Sequence, residues 1–165
     1  MKNIELIKLI VFFSFFSIFL VILVFAIRKL FISSFHRRCR ALGLRPSPRD
    51  SFYCLGHWQD ARVVVERCGT KYCNTIYVFM DLGNLPTEAM RNIGYFMQGL
   101  QREYFTVRGF EPDSELNKIV SGSWRGLYLY SGHLRTNATA VDMKRLCETL
   151  YQIRTELRRR IFSVG

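Results

Sequence analysis

The sequence lacks the short motifs that hold nucleotides or activate a serine. Its 165 residues contain neither the G-x-x-x-x-G-K-[ST] phosphate loop nor the G-x-G-x-x-G dinucleotide pattern. The Gly-x-Ser-x-Gly elbow of esterases is also missing, because the run GSWRG at 122–126 has the wrong spacing. These absences argue against nucleotide-dependent and esterase chemistry.

Metal ligands are scarce as well. Cys68 and Cys73 are separated by four residues, the upper limit of the common zinc spacing of about two to four, and no second pair follows. Only His57 and His133 could complete such a site within the domain. The sequence therefore predicts no metal, no cofactor, no small-molecule substrate and no enzyme. An enzyme that uses Cys54 or His57 as a Cys/His pair is the remaining chemical alternative.

One long segment has no charge, no amide, no proline and no glycine. It is the nineteen-residue run LIVFFSFFSIFLVILVFAI at Leu9–Ile27. Hydrocarbon of about 30 Å needs roughly 20 apolar helical residues, so the segment predicts a transmembrane helix. It is longer than the core of a cleaved signal, and no small-residue cleavage site follows it. Residues 1–8 form only a short flank.

The net charge of +11 is unevenly distributed. Five cations follow the apolar segment within thirteen residues: Arg28, Lys29, Arg37, Arg38 and Arg40. From residue 41 onward, 17 Lys/Arg face 12 Asp/Glu, so the domain itself is only mildly basic. A nucleic-acid binder would concentrate its charge on one face of the domain. We expect this basic cluster to lie at a membrane surface, and we expect no nucleic-acid partner.

The side of the membrane that holds the domain is contested within the sequence. The positive-inside rule places the domain in the cytoplasm, because the five cations follow the span. Four domain cysteines suit an oxidising compartment, and they are disulfide candidates: Cys54, Cys68, Cys73 and Cys147. Asn137-Ala138-Thr139 is a candidate glycosylation site on the luminal side. Both orientations stay open.

The cysteine pairing is predicted only as a preference. Cys68 and Cys73 flank a Gly-Thr turn, and Cys54 lies on a neighbouring strand. We expect Cys54 to bridge to Cys68 or Cys73 and the other of these two to bridge to Cys147. Four cysteines allow three pairings, so spacing does not choose among them. Cys39, in the basic cluster, could stay free, be acylated or bridge to a partner.

Residues 51–165 are predicted to form one α+β domain, joined to the span by the basic juxtamembrane segment and linker 28–50. The run at 41–51, which contains two prolines, is expected to be an extended linker from membrane to domain. Predicted strands are Ser51–Leu55, Ala61–Glu66, Cys73–Met80, Phe105–Arg108, Ile119–Val120 and Gly126–Tyr130, with a turn at 56–60 and Cys73–Met80 as the central strand. The order predicts an antiparallel sheet packed on one side by two helices.

Two helices are expected in this domain. The first is Thr87–Tyr104, with apolar residues recurring at Met90, Ile93, Met97 and Leu100. The second begins with a Thr139–Asp142 capping box and runs about twenty residues. Its apolar stripe is Met143, Leu146, Leu150, Ile153 and Leu157, with Lys144, Glu148, Arg154 and Arg158 on the opposite face.

An apolar N-terminal segment followed closely by Arg and Lys resembles the inner-nuclear-membrane sorting signal of baculovirus occlusion-derived virion envelope proteins. The run FYCLGHWQDARVVVERCGTKYCNTIYVFMDLGNLP is similar to the small per os infectivity factors of these viruses, of the nineteen-kilodalton type. The resemblance implies a single-pass envelope protein, located in the virion envelope and the host inner nuclear membrane. It implies a non-enzymatic subunit that works with other envelope proteins in binding and entry at the insect midgut. A bacterial or cellular single-pass assembly or secretion-apparatus protein with a cytoplasmic domain is the alternative.

Overall fold

The computed structural model describes residues 2–68, 75–100, 105–109, 116, 119–120 and 127–163. Helix α1 spans Lys2–Ala41. The chain divides into two compact units, Met1–Phe35 and His36–Gly165. The described elements confirm the predicted α+β class, with an N-terminal apolar helix, an antiparallel sheet and a long C-terminal helix.

The predicted span at Leu9–Ile27 lies entirely within α1. Among the described residues, one helix, Val11–Ala41 of α1, is long and apolar enough to cross a membrane. Its large apolar side chains are exposed, including Phe15 at 69% and Leu30 at 70%. An uncovered apolar surface of this extent requires a lipid or protein environment. The helix continues to Ala41, so the first part of the basic segment 28–50 is helical.

Six strands form one antiparallel sheet in the described part of the chain. They are β1 (Arg45–Pro46), β2 (Tyr53–Trp58), β3 (Ala61–Arg67), β4 (Thr75–Asp81), β5 (Thr106–Gly109) and β6 (Leu127–Arg135). Their spatial order is β1-β2-β3-β4-β6-β5. The predicted linker at 41–51 therefore contributes an edge strand, because Arg45 and Pro46 pair with Leu55 and Cys54.

The predicted β2–β3 hairpin is present, but its turn is shorter than expected. Trp58 pairs with Ala61, so only Gln59 and Asp60 form the turn. Gln59 has a φ of 54°, the left-handed conformation that tight hairpin turns require. Gly56 and His57, expected in the turn, belong to the strand because pairing with β3 satisfies their backbone groups.

The prediction of a central strand is confirmed by β4, which lies between β3 and β6. Ile76, Val78 and Met80 are fully buried on one face. Tyr77 and Phe79 point to the other face, as the two-residue period of a strand requires. Both faces of this strand are therefore covered.

The C-terminal helix, α4, spans Ala140–Ser163 and packs on β4 and β6. Met143, Leu150 and Leu157 have no exposed surface. Cys147 takes the buried position expected for Leu146. The buried stripe passes from Met143 to Cys147, a step of four residues, where a step of three was expected, and both steps fit a period of 3.6 residues. Arg154 was predicted on the opposite face and instead lies in this stripe, buried to 6% exposure.

The prediction of one continuous helix at Thr87–Tyr104 is wrong. The chain forms α2 (Thr87–Arg91) and α3 (Ile93–Phe96), which are separated by Asn92 at φ −105° and ψ 21°. Gly99 adopts a φ of 73°, which ends helical structure before the predicted limit. Residue 104 itself lies outside the described residues.

The structure differs from two other strand predictions. Ile119 and Val120 form no strand, because Val120 N–H donates to the Leu116 carbonyl (3.0 Å) in a helical turn. Strand β6 continues to Arg135, five residues beyond the expected end, since β4 supplies partners for Ser131, Leu134 and Arg135. Local propensity could not reveal these partners.

The predicted capping box at the start of α4 is confirmed. The Thr139 N–H donates to Asp142 Oδ2 (2.8 Å), and the Asp142 N–H donates to Thr139 Oγ1 (3.2 Å). Each side chain thus satisfies a backbone donor that the first turn of a helix leaves unpaired.

The capping box predicts a pH-dependent contribution to stability. The hydrogen bond from the Thr139 hydroxyl lowers the pKa of Asp142. A carboxyl with a lowered folded-state pKa stabilises the fold above its unfolded pKa of about 4, and this stabilisation disappears as the pH falls through the folded value. We expect Asp142→Asn to lower the unfolding temperature most above the unfolded pKa of about 4, and the difference from the native chain to shrink as the pH falls below it.

Thermal unfolding of the full chain in detergent over this pH range measures the effect. Glu148→Gln is the matched control, because this exposed carboxylate on the same helix forms a long surface ion pair with Lys144 at 3.8 Å. A difference between Asp142→Asn and the native chain that stays constant with pH would contradict the capping role.

Candidate functional site

The last turn of α1 is fixed to the sheet domain at two places. His36 Nε2 lies 2.7 Å from the Ser51 carbonyl, just before β2. Arg38 Nη1 donates to the Thr136 carbonyl (2.9 Å) and to the Ala138 carbonyl, just before α4. These hydrogen bonds join the end of the apolar helix to both layers of the domain.

Three buried cysteines, which we call the thiol cluster, lie on the last turn of α1, on β2 and on α4: Cys39, Cys54 and Cys147. All three have no exposed surface, and all three are free thiols. A hydrogen bond with Cys54, followed by burial, raises the pKa of Cys39, and Cys147 adds a smaller effect in the same direction. Burial raises the pKa of Cys147 to about 12, so this group stays a neutral thiol at physiological pH.

Cys54 and Cys147 are free thiols in the structure, so neither forms its predicted bridge there, whereas Cys68 is disulfide-bonded. Cys54 pairs with Val65 on β3, so these two side chains lie on the same face of the sheet. Cys68 follows Val65 by three residues, an odd number. Because alternate residues face opposite sides of a sheet, the Cys54 side chain turns toward α4 and away from Cys68. Cys68 is half-buried at the end of β3, and Cys73 lies outside the described residues.

The Cys/His pair considered for catalysis is not assembled. Cys54 and His57 are three residues apart on β2, so their side chains lie on opposite faces of the sheet. Cys54 is fully buried, whereas His57 is exposed beside Arg62. The catalytic use of these two residues together is therefore excluded by the register of the strand.

A network around Arg154 connects α4 to the sheet. Its Nε donates to the Asp81 carbonyl (2.9 Å), and its Nη1 donates to Asp60 Oδ2 (3.0 Å). The Tyr151 hydroxyl donates to the other oxygen of the same carboxylate, Asp60 Oδ1 (2.6 Å). This bond is the largest of the effects that lower the pKa of Asp60. The side chains of α4 thus hold the β2–β3 turn and the end of β4.

The Asp81 side chain is satisfied by other donors. Arg62 Nε donates to its Oδ2 (2.8 Å), and the Gly83 N–H donates to its Oδ1 (2.8 Å). Asp81 is 4% exposed, and a carboxylate buried to that extent requires paired donors of this kind. The network is consequently structural, because its charged groups bind one another inside the fold. We call the contacts of Arg154 with Asp60 and Asp81 the clamp.

The sheet face opposite α4 carries an aromatic cluster. Tyr77 and Tyr130 stack at 5.5 Å between ring centroids, and Phe79 lies 5.3 Å from Tyr130. Arg108 Cζ lies 4.8 Å over the Tyr130 ring, a cation–π contact. Tyr77 covers Gly132, where an added Cβ would lie 2.6 Å from the Tyr77 ring.

A groove of about 450 Å³ opens on this same face, next to β1. Its walls include the apolar side chains of Leu55 and Val64, with Arg45, His57 and Arg62 also lining it. Apolar walls with nearby cationic groups are typical of surfaces that bind other proteins.

The predicted membrane-surface cations divide into two groups. Arg28, Lys29, Arg37 and Arg40 are exposed along α1. Arg38 instead uses its guanidinium within the fold, as its two carbonyl contacts show. Asn137, the candidate glycosylation site, is exposed in the turn between β6 and α4.

Sequence reasoning missed Cys39 as a member of the thiol cluster and Arg154 as the centre of the clamp. A signal for Arg154 was present, because it follows Leu150 by four residues and precedes Leu157 by three, the spacing of one helix face. No comparable signal identified Cys39, whose neighbours come from β2 and α4.

No protein-family model, no curated protein and no solved structure matches this chain. The function is therefore argued from the residues of the chain itself. Within the described residues, no three His, Cys, Asp or Glu side chains are arranged to hold a metal ion.

The clamp predicts a large difference between two arginines of α4. Arg154→Met keeps an apolar stem in the buried stripe but removes the donors to Asp81 and Asp60, so we expect a loss of about 1–3 kcal/mol in the free energy of unfolding. Arg159→Met is the control, because Arg159 is 69% exposed and forms its ion pair with Glu156 on the same helix. We expect little change there.

Urea unfolding of the full chain in detergent, followed by tryptophan fluorescence, measures both variants. Equal losses for Arg154→Met and Arg159→Met would mean that the clamp contributes nothing specific to stability.

Proposed function

We propose that this chain is a single-pass viral envelope protein, a non-enzymatic subunit of the surface complex through which an insect virus enters midgut cells. The observation that carries the proposal is helix α1, in which an apolar stretch and a set of exposed cations belong to one continuous element leading into a folded domain. That arrangement is the one that the resemblance to occlusion-derived virion envelope proteins implies.

Membrane anchoring is the first part of the proposal. The exposed phenylalanines, leucines and valines of α1 are compatible with lipid and costly in water. Arg28 and Lys29, together with Arg37 and Arg40, would meet anionic headgroups at the boundary of the hydrocarbon.

Protein contact is the second part. The groove beside β1 and the half-buried tyrosines on the same face of the sheet offer apolar and aromatic surface to a partner. Tyrosine and arginine, both present on this face, are enriched where proteins bind one another. The partners would be other proteins of the envelope complex.

A cytoplasmic assembly or secretion-apparatus protein is the second candidate. It is favoured by the five cations that follow the span, since the positive-inside rule places such a flank on the cytoplasmic side. The membrane-tethered enzyme is not carried forward, because its Cys54 and His57 lie on opposite faces of β2.

Insertion of α1 into a membrane is tested by Phe16→Arg combined with Phe19→Arg. Each arginine near the centre of a spanning helix costs roughly 3 kcal/mol, so we expect the double variant to be extracted by alkaline carbonate while the native chain stays in the membrane pellet. Phe162→Arg is the control, since Phe162 is exposed on α4, outside the apolar helix. Retention of the double variant in the pellet would refute the anchor.

The role in the virion is tested by protease treatment of intact virions that contain the chain. We expect the domain to be digested, oral infectivity to fall at least tenfold, and infectivity by injection to be unchanged. An antibody against α4 follows the domain, and virions without the chain provide the baseline. A domain that remains protected would favour the cytoplasmic candidate instead.

A further inference from the structure

We propose that Cys39 and Cys54 are the two halves of a disulfide bond that forms when the chain folds in an oxidising compartment. The bond would join the last turn of α1 covalently to strand β2. The inference concerns thiols of the chain itself and does not depend on the viral assignment.

Both thiols are buried where the end of α1 meets the start of β2. Neither side chain has any exposed surface, and interaction with Cys54 is the first cause of the raised pKa of Cys39. The chain between them turns back sharply, because the Leu44 N–H donates to the Cys39 carbonyl (3.0 Å) and Pro46 pairs with Cys54. These contacts hold the backbone next to each cysteine, so a bond between the sulfurs would close a turn that the fold already makes.

The segment that follows α1 packs closely against β2. A Cβ on Gly56 would lie 2.7 Å from Leu44 Cδ2, so the segment after α1 runs directly against β2. His36, three residues before Cys39, is held at the Ser51 carbonyl, three residues before Cys54. The two cysteines are thus aligned by contacts on both sides of them.

The third thiol of the cluster is a competitor for the same bond. Backbone contacts select Cys54 as the partner of Cys39, because Leu44 bonds to the Cys39 carbonyl and Pro46, two residues later, pairs with Cys54. The pKa of Cys39 agrees with this choice, since Cys54 raises it more than Cys147 does. Cys147 remains a buried thiol on α4. A Cys39–Cys54 bond also closes the shorter loop, which costs less chain entropy.

Oxidised glutathione, or a protein disulfide of an oxidoreductase, supplies the oxidant by thiol–disulfide exchange. The Cys39 thiolate attacks one sulfur of glutathione disulfide, and one glutathione leaves as its thiolate. The Cys54 thiolate then attacks Cys39 Sγ in the mixed disulfide and expels the second glutathione. The two cysteine protons end on the two glutathione thiols, and two electrons pass from the cysteines to glutathione disulfide.

Complete burial determines when this exchange occurs. A folded chain offers neither thiol to glutathione, so exchange happens during folding or when the last turn of α1 opens locally. The presence of the bond would therefore indicate that the domain folded in an oxidising compartment.

Peptide mapping of the full chain tests the proposal. The chain in detergent is equilibrated with mixtures of reduced and oxidised glutathione at a urea concentration that permits local opening, then alkylated and digested with trypsin. We expect the dipeptide Cys39-Arg40 to be linked to the peptide at 50–62, DSFYCLGHWQDAR, and released by reduction. The peptide at 146–154, LCETLYQIR, should carry alkylated Cys147 throughout.

Two results would overturn the proposal. One is linkage of either peptide to the peptide that contains Cys147, and the other is recovery of Cys39 and Cys54 as alkylated thiols at every glutathione ratio. Both are read from the native chain, so the test does not depend on a variant that folds.

Two variants test which cysteines form the bond. Cys147→Ala should leave the linked peptide pair unchanged, whereas Cys54→Ala should abolish it. The unfolding temperature of the native chain should rise by several degrees on oxidation, because a cross-link restricts the unfolded chain. No such rise is expected for Cys54→Ala, and an equal rise in both chains would contradict the assigned pair.

Discussion

The apolar stripe of α4 packs on β4 and β6, and one charged residue lies inside that stripe. Arg154 is tolerated there because its guanidinium reaches the Asp81 carbonyl and the Asp60 carboxylate at the edge of the apolar contact. Burial of the stripe supplies the non-directional stabilisation, while these hydrogen bonds fix where the helix sits along the sheet. The position of α4 in turn covers Cys54 and brings Cys147 beside the end of α1.

The two faces of the sheet consequently have different roles. The face under α4 is closed and contains the core and the thiol cluster. The opposite face holds the tyrosines around Phe79 and the groove beside β1, which leave partly exposed surface for a partner. A small domain with one partly exposed aromatic face offers a surface for assembly with other proteins.

Much of the fold was predictable because its signals are local or periodic. The apolar run of α1, the alternation of β4, the β2–β3 hairpin and the capping box at Thr139 all depend on residues that are close in sequence. The failures have a common cause. Asn92 interrupts the expected helix, and Val120 adopts a helical turn, because backbone dihedrals and packing at these positions override an apolar pattern that fits more than one structure.

The sequence by itself determined the class of the chain, since a run of nineteen residues without charge needs an apolar environment in any fold. It also determined the number of thiols, but not their neighbours. Only the tertiary structure placed Cys39 against Cys54 and turned His57 away from both, because strand register and helix docking decide which side chains share a face. Residues far apart in the chain meet only after α1, β2 and α4 have packed together.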